Sequence, residues 1–395
     1  MLTKLLFELK LALKFLFIKP RGFYRLARFF TIATIGVSIA ALLICLSAFE
    51  GYKKVISKRY LDSTSHIIVS KRYSFSDDIK KKVSSIIGEY VSGASYSGYI
   101  ELMLSSDNGI KGVAFHVVDT DAFKNVIPIT DYIVQGNSEC LFKERGNIIV
   151  GHALAKTLNV KIGDAVKVVF QNGSSRLKIC AISNFGLYDI DSRLSWMSIG
   201  TAVDIFPEAD FYSSLRVRLN DGVDIGHVMP KLQEALGYSY ETRSWEDINY
   251  GMLESIKMDR LVIFFILGIL IAVSVFNIFA TLTLLIRELR TDIAVLNVIG
   301  LDLSRTLRMF FLQALVLGVT GYLIGILLWL TSLWAIRSWG IVSLPQDVYL
   351  MSKIPVGINA WDLLSVFCIL VGTVCLACAV PLLYLFKRFK REGDA

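Results

Sequence analysis

The sequence predicts a membrane α-helical protein with four transmembrane helices in a one-plus-three arrangement. It also predicts a large external α+β domain containing an inserted β-rich lobe. Three observations predict this fold. Four apolar stretches, Phe29–Phe49, Leu261–Ile286, Met309–Ile336 and Leu363–Phe386, each run 21 residues or more without Asp, Glu, Lys or Arg. About 20 apolar residues suffice for a helix to cross a bilayer. The first stretch is separated from the other three by residues 50–260, enough chain for a folded domain. Basic residues gather at the ends of the stretches rather than within them.

Composition agrees. The 395-residue chain is 54% hydrophobic and 19% charged, with mean hydropathy +0.55; soluble domains carry about 25% charged residues. Segment 1–28 holds Lys4, Lys10, Lys14, Lys19, Arg21, Arg25 and Arg28 against Glu8 alone. The 287–308 loop holds Arg287, Arg290, Arg305 and Arg308, and the tail 387–395 holds Lys387, Arg388, Lys390 and Arg391. The 337–362 segment has only Arg337 and Lys353 as basic residues. The positive-inside rule therefore places both termini and the 287–308 loop in the cytoplasm. Residues 50–260 and 337–362 then lie outside.

The elements follow in order. Lys4–Ile18 sets Lys4, Glu8 and Lys14 near one helical face, with leucines and phenylalanines over the rest. Such a pattern fits a helix lying in the inner-leaflet interface, or a cytoplasmic extension of span one. No small-x-small cleavage pattern follows Phe49, so span one reads as a retained anchor. In the external segment, strand signals occur at His66–Ser70, Tyr99–Leu104 and Lys111–Val118, with a helix after Ser76. The order repeats at the far end, with Ser214–Leu219 as strand, Gly226–Leu236 as helix and Tyr238–Thr242 as strand. Between them, 137–209 reads as short strands (Asn147–Val150, Ala165–Phe170, Arg176–Ile182) with a helix near His152–Leu158. Gln171-Asn172-Gly173-Ser174-Ser175 is a hairpin signal, because Asn-Gly favours the tight turn that joins antiparallel strands.

Cys45, Cys368, Cys375 and Cys378 lie in apolar spans, as small apolar side chains. Cys140 and Cys180 lie outside and are either a disulfide or two buried thiols. The loop RELRTDIAVLNVIGLDLSRTLR is the second informative place. Thr291 or Asp292 caps a helix, Ile293 to Gly300 carries no charge, and Gly300 suits a left-handed stop. Val295, Leu296, Val298 and Ile299 thus form an apolar surface that lipid, the chain itself or a partner must cover. Asn277 and Gln313 lie within spans, where amides seek a partner on a neighbouring helix. Gly321 and Gly325 form a small-xxx-small pair suited to close helix packing.

Several chemistries are excluded. A P-loop ends in Gly-Lys-Ser/Thr so that backbone amides and a lysine cradle phosphate, and the chain contains no Gly-Lys pair. His66, His116, His152 and His227 show no metal-ligand spacing, so no metal site is expected. The basic clusters sit at membrane boundaries and read as topology anchors, not as nucleic-acid sites. No catalytic residue is expected on this chain.

Four segments resemble the FtsX/MacB-type ABC transporter permeases, and most closely their LolC/LolE branch, the membrane subunits of the lipoprotein-releasing complex. They are Arg28–Gly51, Asn147–Val168, Phe185–Ala202 and Arg290–Gly325. The last carries Asp292-Ile293-Ala294-Val295-Leu296, Gly300, Gln313 and the Gly318/Gly321/Gly325 series. The resemblance implies a permease of the bacterial inner membrane, with Porter-like (60–136 and 210–245) and Sabre-like (137–209) periplasmic parts. It implies that Thr291 to Gly300, with Ile293 and Ala294 among them, form a coupling helix docking on a separate cytoplasmic ABC ATPase. ATP and Mg would be held by that ATPase, with no cofactor on this chain. A second permease copy, identical or a paralogue, would complete the complex. Lipoproteins would leave the outer leaflet between the external ends of spans one and two. Ala41, Ile44, Cys45 and Phe49 would line that portal with Phe264, Phe265 and Gly268. A periplasmic carrier would receive the cargo. In the LolC type a long hairpin hook catches the carrier; here the corresponding turn is only Gln171–Ser175 and has no proline. Two other expectations stay open: an FtsX-like transmitter activating a cell-wall hydrolase, and a MacB-like efflux permease with a separate ATPase.

Overall fold

The structure is a computed structural model and describes residues 22–71, 79–119, 121–170, 173–207, 211, 213–288, 295, 303–339, 357 and 360–393. Two compact units divide the chain near residues 53 and 255. In chain order, helix α1 (Gly22–Thr64) is followed by strand β1 (Ile67–Lys71), helix α2 (Ile79–Ile87), and the long strands β2 (Val91–Ser106) and β3 (Gly109–Val118). Then come β4 (Ile133–Gly136), the short helix α3 (Cys140–Lys143), β5 (Asn147–Gly151), α4 (His152–Leu158), β6 (Ala165–Phe170) and β7 (Gly173–Ser183). Strands β8 (Leu194–Ser198) and β9 (Ser214–Leu219), helix α5 (Ile225–Leu236) and β10 (Tyr240–Ser244) complete the external part. Three long helices follow, α6 (Tyr250–Glu288), α7 (Leu303–Trp339) and α8 (Ala360–Gly393).

In the second unit the strands β10-β1-β9-β2 form an antiparallel sheet. Its Ile67, Val69, Leu215 and Val217 pack against α2 and α5. Ile79, Val83 and Ile87 of α2 recur at every fourth residue, which puts them on one face of the helix, and all three are buried there. Strand β2 then continues into a second structure. The pairs β2–β3, β3–β8, β8–β5, β5–β7, β7–β6 and β6–β2 close a six-stranded barrel. Leu104, Phe115, Val150, Val168, Ile179 and Met197 fill it, and α4 adds Leu154 and Leu158.

This corrects the expected lobe boundaries. The β-rich part is not confined to 137–209: it takes in β3 and the second half of β2, and Phe211 packs into its core. Strand β2 also begins at Val91, ahead of the Tyr99 read from sequence. Residues 92–98, Ser-Gly-Ala-Ser-Tyr-Ser-Gly, have little intrinsic strand preference. Their strand state comes from pairing with β9, from Val91↔Leu219 to Ser97↔Ser214, joined by β3 at Ser97↔Val118 and Gly98↔Val117. The hairpin of β6 and β7 has the register Phe170↔Gly173, so Gly173 is already strand. The turn residues Gln171 and Asn172, the cap Ser76 and the segment Lys4–Ile18 lie outside the described residues.

Cys140 and Cys180 form a disulfide with Cα atoms 6.0 Å apart, tying α3 to β7; the two-thiol alternative does not hold. Disulfides persist in oxidising compartments, in keeping with an external position for this unit. Its sequence separation of 40 corresponds to about 3–4 kcal/mol of loop-closure stabilisation. Cys140→Ser is therefore expected to lower the thermal unfolding midpoint of the purified chain, and reductant to do the same to the wild type. Equal midpoints with and without reductant would contradict the pairing.

Among the described residues, four helices with most of their length in the first unit are long and apolar enough to cross a membrane: Arg25–Thr64, Tyr250–Glu288, Arg305–Ile336 and Trp361–Ala379. That unit has its own core. Ile35, Ile39, Leu43, Leu267, Ile278, Ala314, Trp329 and Val374 are among its core residues.

Candidate functional site

Helices α1 and α6 meet through a ladder of polar side chains. Thr31 shares a hydroxyl hydrogen bond with Thr281, Asn277 Nδ2 donates to Thr34 Oγ1 at 3.3 Å, and Ser274 Oγ donates to Ser38 Oγ at 3.1 Å. The three rungs run antiparallel. Hydroxyls in an apolar phase gain by pairing across helices, and both ends of the first rung are buried. Sequence reading singled out only Asn277. The signal for the rest was present: positions 31, 34, 38 and 274, 277, 281 share the i, i+3, i+7 spacing of one helical face.

Helix α7 lies against α1 at its glycines. A Cβ on Gly321 would stand 2.6 Å from Ile35 Cγ2, and one on Gly325 would stand 2.8 Å from Ile39 Cβ. Gly318 faces α8 instead, where a Cβ would meet Val374 Cγ2 at 2.9 Å. Gln313 is fully buried. Trp329 Nε1 donates to Ser47 Oγ at 3.0 Å, and the Gly357 amide donates to the Ser47 carbonyl at 2.9 Å. Neither contact was foreseen from sequence.

The residues of the expected portal divide. Phe49 is buried, Ala41, Ile44 and Gly268 are half-buried, and Cys45, Phe264 and Phe265 are exposed in the single chain. A void of about 30 Å³ among Ser38, Leu42, Ser274 and Leu370 has room for no more than a water. Of the expected coupling segment, Val295 is helical and 58% exposed. Thr291, Asp292, Ile293, Ala294, Leu296, Val298, Ile299 and Gly300 lie outside the described residues. Among the described residues, no group of His, Cys, Asp or Glu is placed to hold a metal ion.

Within the second unit, the C-terminal turns of α1 make a second polar site. Asp62 pairs with Arg218 at 2.6 Å and accepts from the Tyr132 hydroxyl at 2.7 Å. Arg218 also donates to the Val126 carbonyl at 3.2 Å. Arg216 donates to the Thr64 carbonyl and, at 2.7 Å, to Ser97 Oγ. A cation suits the partial negative charge at a helix C-terminus, and burial draws this guanidinium down to about 10. Arg59 donates to the Gly186 carbonyl at 3.3 Å. The helix stops at Ser65, which adopts φ 90° and closes the last turn from its amide to Leu61 O. Nearby, Asp191 accepts from the amides of Phe185, Gly186 and Leu187. Burial outweighs those donors and lifts its carboxyl to about 6.

His66 follows this turn, and its Nδ1 accepts from the Leu219 amide at 3.2 Å. Burial first, and then the Arg218 charge, push it down to about 4. Its folded value lies below the unfolded one of about 6.5. The stability it contributes is therefore present above pH 6.5 and is lost as pH falls through 4. Discounted for partial exposure, this amounts to about 1–2 kcal/mol. The thermal midpoint is expected to fall between pH 6.5 and 4, and less steeply in His66→Gln. Parallel curves for the two proteins would contradict this role.

The chain is similar to known proteins over most of its length. The model of the FtsX-like permease C-terminal region matches residues 264–388, and that of the MacB-like periplasmic core domain matches residues 29–235. The lipoprotein-releasing system transmembrane protein LolC of Neisseria meningitidis serogroup B is 24% identical over 402 residues, covering 95% of each chain. LolC of Xylella fastidiosa is 24% identical over 90% of this chain and 91% of its own. LolE of Haemophilus influenzae is 22% identical over 85% of this chain and 86% of its own. The periplasmic region of MacB from Actinobacillus actinomycetemcomitans superposes with a TM-score of 0.34 at 11% identity, over 50% of this chain and 97% of that one. The MacB-like core match alone spans more than half of the sequence, and the chain belongs to the FtsX/MacB-type ABC transporter permeases.

Proposed function

We propose that the chain is the permease subunit of an ATP-driven transporter that extracts lipoproteins from the outer leaflet of the bacterial inner membrane. The observation that carries this reading is the likeness to a LolC relative over 95% of both chains. In this reading both termini are cytoplasmic, the segment Thr291–Gly300 docks on a separate ABC ATPase, and that ATPase holds ATP and Mg. Val295, helical and exposed, supports a docking surface there. A second permease copy, identical or paralogous, faces this one. The acyl chains of the cargo enter near Ala41, Ile44, Cys45, Phe49, Phe264, Phe265 and Gly268. ATP-driven closure moves the spans, and their motion reaches the external unit. The cargo then passes to a periplasmic carrier.

Purified chain with its copurifying ATPase, reconstituted with acylated lipoprotein, tests the proposal. ATP-dependent appearance of lipoprotein in the soluble fraction with a carrier protein present is the expected result. A second reading, efflux with a separate ATPase and an outer-membrane duct, draws on the MacB-like core match. Copurification of a duct protein, with no lipoprotein released, would select it.

A further inference from the structure

We propose that the C-terminal turns of α1 act as a clamp that holds the four-stranded sheet and the barrel as one body, with Asp62 as its central contact. The inference rests on the transporter reading, because it names the residues through which movement of span one would reach both halves of the external unit. Three successive groups on the helix reach different parts of that unit. The Arg59 guanidinium donates to Gly186 O, in the loop that leaves β7 of the barrel. Asp62 joins Arg218, on β9 of the four-stranded sheet, to Tyr132, which leads into β4. The Thr64 carbonyl accepts from Arg216, also on β9. The Tyr132 ring stacks on Phe185 at 4.3 Å, and Phe185 stacks on Trp196 of β8 at 5.5 Å. Asp62 thus contacts the sheet through Arg218 and reaches the barrel through Tyr132 and its aromatic stack.

The chemistry of this contact sets it apart from the other helices of the unit. Helices α2 and α5 cover the sheet with aliphatic side chains. The end of α1 meets buried Ser97 and Arg216 and half-buried Arg218, and it presents a buried carboxylate, Asp62 at 2% exposure. Desolvation offsets most of what a buried ion pair gains, so apolar packing would be at least as stable. What the ionic and hydrogen-bonded geometry adds is a single defined register for the helix. A helix that must deliver a displacement needs that register more than it needs adhesion. Helix α1 is unbroken from Gly22 to Thr64. It joins β1 through only Ser65 and His66.

The test uses the full chain with its ATPase in lipid nanodiscs, comparing wild type with Asp62→Asn and Tyr132→Phe. Lipoprotein release, ATP hydrolysis and hydrogen exchange are followed together. In Asp62→Asn, release per ATP is expected to fall about tenfold, as typical coupling energies would give. Exchange should accelerate together in 54–64 and 184–191, while β1 and β9 stay protected. Tyr132→Phe removes one hydroxyl and should show the same pattern more weakly, which decides the matter if Asp62→Asn unfolds. Wild-type release and exchange in both variants would overturn the clamp. Should wild-type protein release no lipoprotein, the transporter reading fails. Exchange then still decides the clamp: joint acceleration of the two segments supports it, and unchanged exchange overturns it.

Discussion

Replacing Leu296 with lysine is expected to abolish copurification of the ATPase while leaving membrane insertion intact. The argument starts from composition. Ile293 to Gly300 carries no charge, yet Arg287 and Arg290 precede it and Arg305 and Arg308 follow. An uncharged segment beside a membrane must be covered, and in the proposed function a groove on the ATPase covers it. An ammonium placed in a desolvated contact loses its hydration without gaining a partner, a cost of several kcal/mol. Each 1.4 kcal/mol weakens binding about tenfold, so affinity should drop by two or more orders of magnitude. Insertion depends on the spans and their flanking arginines, which the substitution leaves untouched. Asp292→Lys should act in the same direction, because it replaces one of the two cap residues expected from sequence and reverses its charge. Tagged pull-down with quantitation of the ATPase reads both. Normal recovery of the ATPase with Leu296→Lys would remove the coupling assignment.

The second large effect concerns Gly325 and Gly321. A leucine at either position has no room, since even a Cβ would stand 2.8 Å from Ile39 or 2.6 Å from Ile35. Either α7 separates from α1 or side chains leave their rotamers, at about 1–3 kcal/mol or more per site. Separation would also strain the Trp329–Ser47 hydrogen bond between the same helices. Gly325→Leu should therefore lower the thermal midpoint of the detergent-solubilised chain markedly, and Gly321→Leu with it. Gly372 provides the control, because a Cβ there meets nothing within 4 Å. Gly372→Ala should be neutral or slightly stabilising, since alanine is the better helix former. Equal losses at Gly372 and Gly325 would mean that steric fit between α1 and α7 is not what matters.

Long apolar runs were the most legible part of the chain. Their length and lack of charge leave a helix as the one economical solution in lipid, where every backbone polar group must be satisfied internally. The Gly321/Gly325 spacing was also visible, although its partner residues Ile35 and Ile39 were not, because packing across helices leaves no local trace. Strands β5 and β6 stood out through dense β-branched residues, and β9 through the alternation of Leu215, Val217 and Leu219 with two arginines. The first half of β2 did not, because Ser92 to Tyr96 become strand only by pairing with β9 more than a hundred residues away in sequence. Closure of the barrel was hidden for the same reason: it depends on one strand serving two structures. The clamp was hidden more deeply. Asp62, Tyr132 and Arg218 are ordinary polar residues in sequence, and only the fold brings them within hydrogen-bonding distance.

The measurement that tests the central claim most directly is gentle detergent purification of the tagged chain, with mass spectrometry of all that accompanies it. A cytoplasmic ABC ATPase together with acylated lipoproteins is the expected result, the ATPase lost in Leu296→Lys and the cargo lost on addition of ATP. Recovery of the chain with no ATPase would contradict an ATP-driven permease, and an ATPase accompanied by a cell-wall hydrolase or an outer-membrane duct would contradict lipoprotein release.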